Sequence, residues 1–433
     1  ERAQKRESGV TDVDFGYAVV FAVAAGGTYG LTFVVRRLAI RFGALKMPGG
    51  DHSVHPKPIP NAGGAAMFLA FLAAMAIARQ VPALDPVFQG SSEPLAVVLA
   101  CAIIFAVGLL DDLGKTRTAW PRREMSAPGK AAGQVLAGSV LSLLGVVMFF
   151  FRIPFFDLVG LSPDLQPLVT VLWVMGMTNA VNLIDGLDGL AAGIVAIAAG
   201  AFFLYTLQIG PQDAGLLSES SLGPLLAIIA CGVCIGFLPH NFHPARIIMG
   251  DSGALLLGML MAASTLVVGG RTDQPFSGQT YFFYAPIFIP FFVMGVPILD
   301  TAFSIVRRSR RRGSPVAADK GHLHHRLMLL GHGQRRSVAI LWAWTALLSL
   351  FVLWPTITNS SSGNAVVPFA VLGLGVFLYT VFHPGVRRGN EQQPDDVLDV
   401  LDEPLEPAPP RPLRVIQGEA EDPASGRVTD VTG

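Results

Sequence analysis

Between Asn179 and Ala192 the chain reads NAVNLIDGLDGLAA, and Asn179, Asn182, Asp185 and Asp188 recur at every third residue. Two amides and two carboxylates at that spacing can hold a polar ligand and share a cation. Gly186 and Gly189 let the backbone bend where those groups stand. Apolar runs flank the stretch, one beginning near Leu168 and one resuming at Leu190. Unpaired amides and carboxylates at membrane depth cost several kcal/mol each, roughly. The stretch is therefore read as a site for a polar ligand and a cation at a membrane surface.

Four further clusters carry chemistry. GLLDDLGK, residues 108–115, sets Asp111 and Asp112 at the C-terminal end of an apolar run. The helix dipole is negative there, so two carboxylates need a positive partner. Lys115, one turn away, is one candidate and a divalent cation is the other. Repulsion between adjacent carboxylates can raise one pKa and make it a proton acceptor. HNFHPARIIMGDSG, residues 240–253, places Asp251 just before a new apolar run. Asp251 reads either as a helix N-cap or as one carboxylate for a hard cation such as Mg²⁺, which takes one or two carboxylates plus phosphate oxygens. GGDHSVHPKPIPNAGG, residues 49–64, is made rigid by three prolines and offers Lys57 and His55 to a phosphate or a base. DKGHLHHRLMLLGHGQRR, residues 319–336, gathers His322, His324 and His325 with Lys320 and Arg326. With no thiol nearby and no histidine pair four residues apart, a closed zinc site is disfavoured, and the mixture suits a diphosphate.

The elements that must position these groups are membrane helices. Of the 433 residues 52% are hydrophobic and 14% charged, against about 25% charged in soluble domains. The reading is an all-α, polytopic integral membrane protein. Eleven apolar runs are long enough to span the bilayer, near 15–40, 61–79, 94–110, 131–151, 167–183, 189–207, 222–239, 252–270, 281–306, 338–357 and 365–382. Of the 31 Lys and Arg, 25 fall on the side reached after the first run, which the positive-inside rule makes cytoplasmic. An odd span count then puts the N-terminus outside and the C-terminus inside. Every polar cluster above falls on that cytoplasmic side, and the opposite loops are short and bland. Residues 1–13 read as an extracytoplasmic segment, 14–383 as the transmembrane domain, and 384–433 as a disordered, acidic, Pro-rich cytoplasmic tail. Cys231 and Cys234, spaced as a redox pair would be, lie in an apolar run and read as packing.

In that order along residues 58–327, PIPNAGG, GLLDDLGK, NAVNLIDGLDGLAAG, NFHPARIIMGDSG and DKGHLHHRL resemble the polyprenyl-phosphate N-acetylhexosamine-1-phosphate transferase family. The HLHH form resembles the branch that handles UDP-GlcNAc. The PIHHHFE-type segment of the muramoyl-pentapeptide branch, the alternative within the family, is absent. The resemblance implies a bacterial plasma-membrane enzyme that moves a HexNAc-1-phosphate from a UDP-N-acetylhexosamine to undecaprenyl or decaprenyl phosphate. It matches Asp251 and Asn182 to metal positions for Mg²⁺, with Mn²⁺ as substitute, and Asp111 and Asp112 to the acidic pair beside the reacting phosphates. Asn241, Asp185 and Asp188 match nucleoside-side positions, and the histidine loop matches a lid over the sugar diphosphate. The family's aromatic three residues before the metal aspartate is Ile248 here. Membrane lipids and a second copy of the chain, as a homodimer, are the other expected partners; nucleic acid is not expected. A transporter is the competing class, since intramembrane acids also mark ion pathways, but its polar groups would lie near mid-membrane with a path to both faces.

Overall fold

The computed structural model describes residues 2–46, 57–116, 125–152, 158–208, 220–268, 333–358 and 363–382. The expected span 281–306, the histidine loop 319–336 up to its last few residues, and the tail 384–433 lie outside the described residues. The described helices are α1 (Arg2–Phe42), α2 (Gly63–Ala78), the short α3 (Asp85–Phe88), α4 (Glu93–Gly114) and α5 (Ala127–Leu143). They continue with α6 (Leu165–Ile184), α7 (Leu190–Gln208), α8 (Gly223–Asn241), α9 (Gly250–Val268), α10 (Gln334–Thr358) and α11 (Gly363–Phe382). Two small antiparallel hairpins interrupt the helices: β1 (Leu45–Lys46) pairs with β2 (Ile59–Pro60), and β3 (Phe150–Arg152) with β4 (Leu158–Gly160).

Six of these helices are long and apolar enough to cross a membrane, and seven if α2 and the Pro82–Phe88 segment, bent by 93°, form one span. The run expected over 131–151 differs. Its helix starts at Ala127, where Ser126 caps it by accepting from Gly129 N, and stops at Leu143. Gly145, at φ +92°, turns the chain into the β3–β4 hairpin. Apolar content alone could not separate a strand from a helix in that run.

Helix α9 occupies the centre. Every residue from Gly250 to Val268 except Asp251 is buried, and the helix packs on α2, α4, α6 and α8. Close approach of helices needs small residues where lipid gives no hydrophobic drive. Gly108 of α4 supplies this: a methyl group there would lie 2.5–2.8 Å from the Asp251–Ser252 backbone. The C-terminal end of α4 and the N-terminal end of α9 are thereby pressed together. The start of α2 joins them through backbone. Gly63 N and Gly64 N donate to the carbonyls of Ile248 and Met249 at 3.0 and 2.9 Å, and Ile248 N donates to Pro60 O at 3.1 Å.

Candidate active site

Asp111 and Asp112 are the last acids of α4, in its final turn, and both are buried. Successive helical residues point about 100° apart, so the two carboxylates face different neighbours. Asp111 turns toward α5: its Oδ2 lies 2.6 Å from Lys115 Nζ and 2.7 Å from Lys130 Nζ, and its Oδ1 accepts from Met125 N at 2.9 Å. The same two ammonium groups reach Asp251, Lys115 at 3.0 Å and Lys130 at 2.6 Å. Two lysines thus bridge two carboxylates from α4 and α9. Burial opposes the charge on Lys115, but the carboxylates of Asp251, Asp111 and Asp112 outweigh it and hold its pKa above the ordinary lysine value.

Asp112 turns toward α9. It accepts from Asp251 N and Ser252 N, both at 2.9 Å, from Ser252 Oγ at 2.7 Å and from Asn61 Nδ2 at 3.2 Å. Gly250 enters α9 in the left-handed region at φ +70°, where a side chain would meet Asp112 and Asn61. Asp251 is consequently not the helix cap. The free N–H groups of α9 are met from another helix, and the Asp251 carboxylate is left to the two lysines.

The Asp185–Gly189 turn is built differently. Gly189 stands at φ +77° and donates to Asn241 Oδ1 at 3.0 Å, while Asn241 Nδ2 donates to Ile247 O at 3.1 Å. Asp188 is buried and accepts from His243 Nδ1 at 2.8 Å and Ala245 N at 3.1 Å. Arg335 of α10 donates to His243 O at 3.0 Å. Asn241 and Asp188 therefore fasten the loop 242–249 onto the turn. Asp185 ends α6, its N–H donating to Asn182 O at 3.3 Å. Burial pushes the Asp185 carboxyl well above its usual range; Lys46 opposes the shift, and the charges of Asp251, Asp112 and Asp188 add to it. Asn179 donates to Gln134 Oε1 at 3.0 Å and to Met175 O at 2.7 Å.

Of the residues singled out in the sequence, the structure brings Asp111, Asp112, Asp251 and Lys115 into one cluster. Asp185 stands within range of their charge, and Asp188 and Asn241 shape the adjoining loop. Lys57 is exposed and makes no hydrogen bond or ion pair with the cluster among the described residues. Lys320, His322, His324, His325 and Arg326 lie outside the described residues. Sequence reading passed over Lys130, Asn61, Ser252, Gln134 and His243. Lys130 had a signal: a cation in the first turn of a helix is set against the dipole, the same anomaly that drew attention to Asp111 and Asp112.

Among the described residues no group of three or more His, Cys, Asp or Glu side chains is placed to cage a metal. A cation held by one carboxylate and completed by phosphate oxygens does fit. Asp251 is the carboxylate that reaches the surface of the cluster, at 15% exposure, beside Lys115 and Lys130 at 23% and 25%.

Long apolar helices ending in a cluster of acids and lysines are the parts of a multi-pass membrane protein. The chain belongs to glycosyl transferase family 4, whose sequence profile matches residues 94–269. The decaprenyl-phosphate N-acetylglucosaminephosphotransferase of Mycolicibacterium smegmatis is 37% identical over 87% of this chain and 91% of its own. A probable undecaprenyl-phosphate N-acetylglucosaminyl 1-phosphate transferase of Bacillus subtilis is 35% identical over 75% of this chain and 80% of its own. A phospho-N-acetylmuramoyl-pentapeptide-transferase of Desulforudis audaxviator is 32% identical over 76% of this chain and 96% of its own.

Proposed function

We propose that the protein transfers N-acetylglucosamine-1-phosphate from UDP-GlcNAc to a polyprenyl phosphate, decaprenyl or undecaprenyl, starting a lipid-linked glycan of the cell envelope. The observation that carries this reading is the bridge of Lys115 and Lys130 across Asp111 and Asp251. Both substrates are anionic and repel one another, so a site that joins them must present cations at fixed points. One substrate is water-soluble and the other lipid-anchored, so the chemistry belongs at a membrane surface, where the polar ends of α4, α5 and α9 meet.

An oxygen of the lipid phosphate attacks the β-phosphorus of the UDP-sugar. The bond from that phosphorus to the bridging oxygen breaks, UMP leaves, and the sugar phosphate becomes the outer half of a lipid diphosphate. Lys115 and Lys130 neutralise the two phosphates and hold them in line, which in phosphoryl transfer supplies most of the catalysis. A carboxylate of the Asp111–Asp112 pair takes the proton remaining on the lipid phosphate. Asp251 and Asn182 would hold Mg²⁺, with Mn²⁺ as substitute, and the ion would supply charge neutralisation at the diphosphate. Asp185 would line the place of the nucleoside, beside the loop that Asp188 and Asn241 hold, and Lys320, His322, His324, His325 and Arg326 are the groups that would bind the diphosphate.

The reading includes eleven spans, an N-terminus outside, a cytoplasmic C-terminus and a homodimer in the bacterial plasma membrane. The HLHH form, and relatives 35–37% identical that are named for N-acetylglucosamine phosphate transfer, support GlcNAc as the sugar. The test is UMP and lipid-linked sugar formation from UDP-GlcNAc, polyprenyl phosphate and Mg²⁺, run in parallel on purified protein and sealed vesicles of each orientation. Product from inside-out vesicles alone is the expected result. Product from right-side-out vesicles alone would reverse the orientation, and no product from purified protein would sink the transferase reading.

A further inference from the structure

We propose that Asp112 is a positioning residue, which caps α9 from the neighbouring helix and fixes the backbone from which Asp251 projects. The kinetic arm of its test rests on the transferase reading above; the cap does not.

A carboxylate offers about four lone-pair sites. In Asp112 four donors occupy them: Asn61 Nδ2 and Asp251 N on Oδ1, Ser252 N and Ser252 Oγ on Oδ2. Two of these are backbone N–H groups of α9 that no residue within that helix can satisfy. Nor can α9 shift to release them, because Ser252 and the helix beyond it are buried and Gly108 lies against the Asp251–Ser252 backbone. The placement is also favourable on electrostatic grounds, since a negative group at a helix N-terminus meets the positive end of the dipole.

Asp111 contrasts at each point. One backbone N–H, of Met125, holds its Oδ1, and its Oδ2 faces two ammonium groups. Those ammonium groups sit on flexible stems and are partly exposed, so a phosphate can draw them away and leave a lone pair open. Neighbours in sequence thus have separate duties: Asp112 builds the floor of the site and Asp111 faces the reactants.

The test uses the full-length protein in detergent with three variants, Asp112→Asn, Asp111→Asn and Ser252→Ala. Hydrogen–deuterium exchange of the first turn of α9, without substrate, should speed up at least about tenfold in Asp112→Asn, because an amide can accept through one oxygen only. It should stay at the wild-type rate in Asp111→Asn. In the UMP assay, Ser252→Ala should lower kcat several-fold while KM for the UDP-sugar stays near wild type, because the backbone that carries Asp251 is displaced and the fold is kept. Should Asp112→Asn fail to fold, Ser252→Ala carries both arms, with faster exchange and a lowered kcat supporting the proposal. Unchanged exchange in Asp112→Asn, or in Ser252→Ala where that variant stands in, would overturn it. So would a wild-type kcat in Ser252→Ala beside faster exchange. The exchange arm needs no substrate, so a wrong transferase reading and a wrong cap are told apart.

Discussion

At the junction of α4, α5 and α9 charged side chains are tied to one another, whereas around the Asp185–Gly189 turn polar side chains are tied to backbone. Lys115 and Lys130 each meet two carboxylates, at distances of 2.6–3.0 Å. Asn241 instead spends its oxygen on Gly189 N and its nitrogen on Ile247 O, and Asp188 binds Ala245 N as well as His243. Ion pairs between flexible side chains can be exchanged for pairs with a ligand. Backbone hydrogen bonds cannot be exchanged without unfolding a loop, because an abandoned buried N–H or carbonyl costs about 1–3 kcal/mol. The first region can therefore handle charge, and the second holds shape. Asp112 is the exception within the first region, since its partners are mostly those of a scaffold.

This contrast is open to breakage. The largest effects belong to the exchangeable region. Asp251→Asn should lower turnover by at least about a hundredfold with the fold intact, and Lys130→Met by about ten- to a hundredfold, as expected for loss of a charged contact to a phosphate. Steady-state kinetics with melting curves on the same samples check both. Turnover near wild type in either variant would mean that the bridge is structural. A middle-sized effect is expected in the other region: Asn241→Ala should destabilise the protein by about 1–3 kcal/mol, seen as a lower Tm in detergent. An unchanged Tm with a raised KM for the UDP-sugar would instead make Asn241 a ligand contact and erase the contrast. The smallest effect concerns pH. The folded protein holds the Asp185 proton more tightly than the unfolded chain does, since burial raises that carboxyl. Its contribution to stability is complete in acid and lost as pH rises through the folded-state value. Asp185→Asn should therefore melt higher than wild type in alkaline buffer, with the gap closing as the buffer is made acidic. A gap independent of pH would show that ionisation of Asp185 is not involved.

How much of this could be read in the chain depended on whether a residue stood against a physical expectation. Asp111 and Asp112 did, at a helix C-terminus, and their need for a cation was legible. Asp251 did not, because an acid at a helix N-terminus is what capping would place there. Only the structure reveals that the cap comes from 139 residues earlier in the chain. Several described helices, among them Gly63–Ala78, Leu190–Gln208 and Gly250–Val268, were legible to within a few residues from their apolar content. The β3–β4 hairpin was not, because Phe150 and its neighbours are as apolar as a span. Asn61 and Gln134 escaped notice since a lone amide becomes informative only once its distant partner is known.

The order in which the chain is made gives the Asp112 contacts a further consequence. Two of its donors, Asp251 N and Ser252 N, lie 139 and 140 residues downstream. During synthesis at about 5–20 residues per second, α4 is complete roughly 7 to 28 seconds before α9 emerges. Through that interval the Asp111–Asp112 pair must stay hydrated, so α4 can be seated only with its acidic end at the water boundary. The acids that finish the site also set how deep their own helix can sink while it waits for its partner.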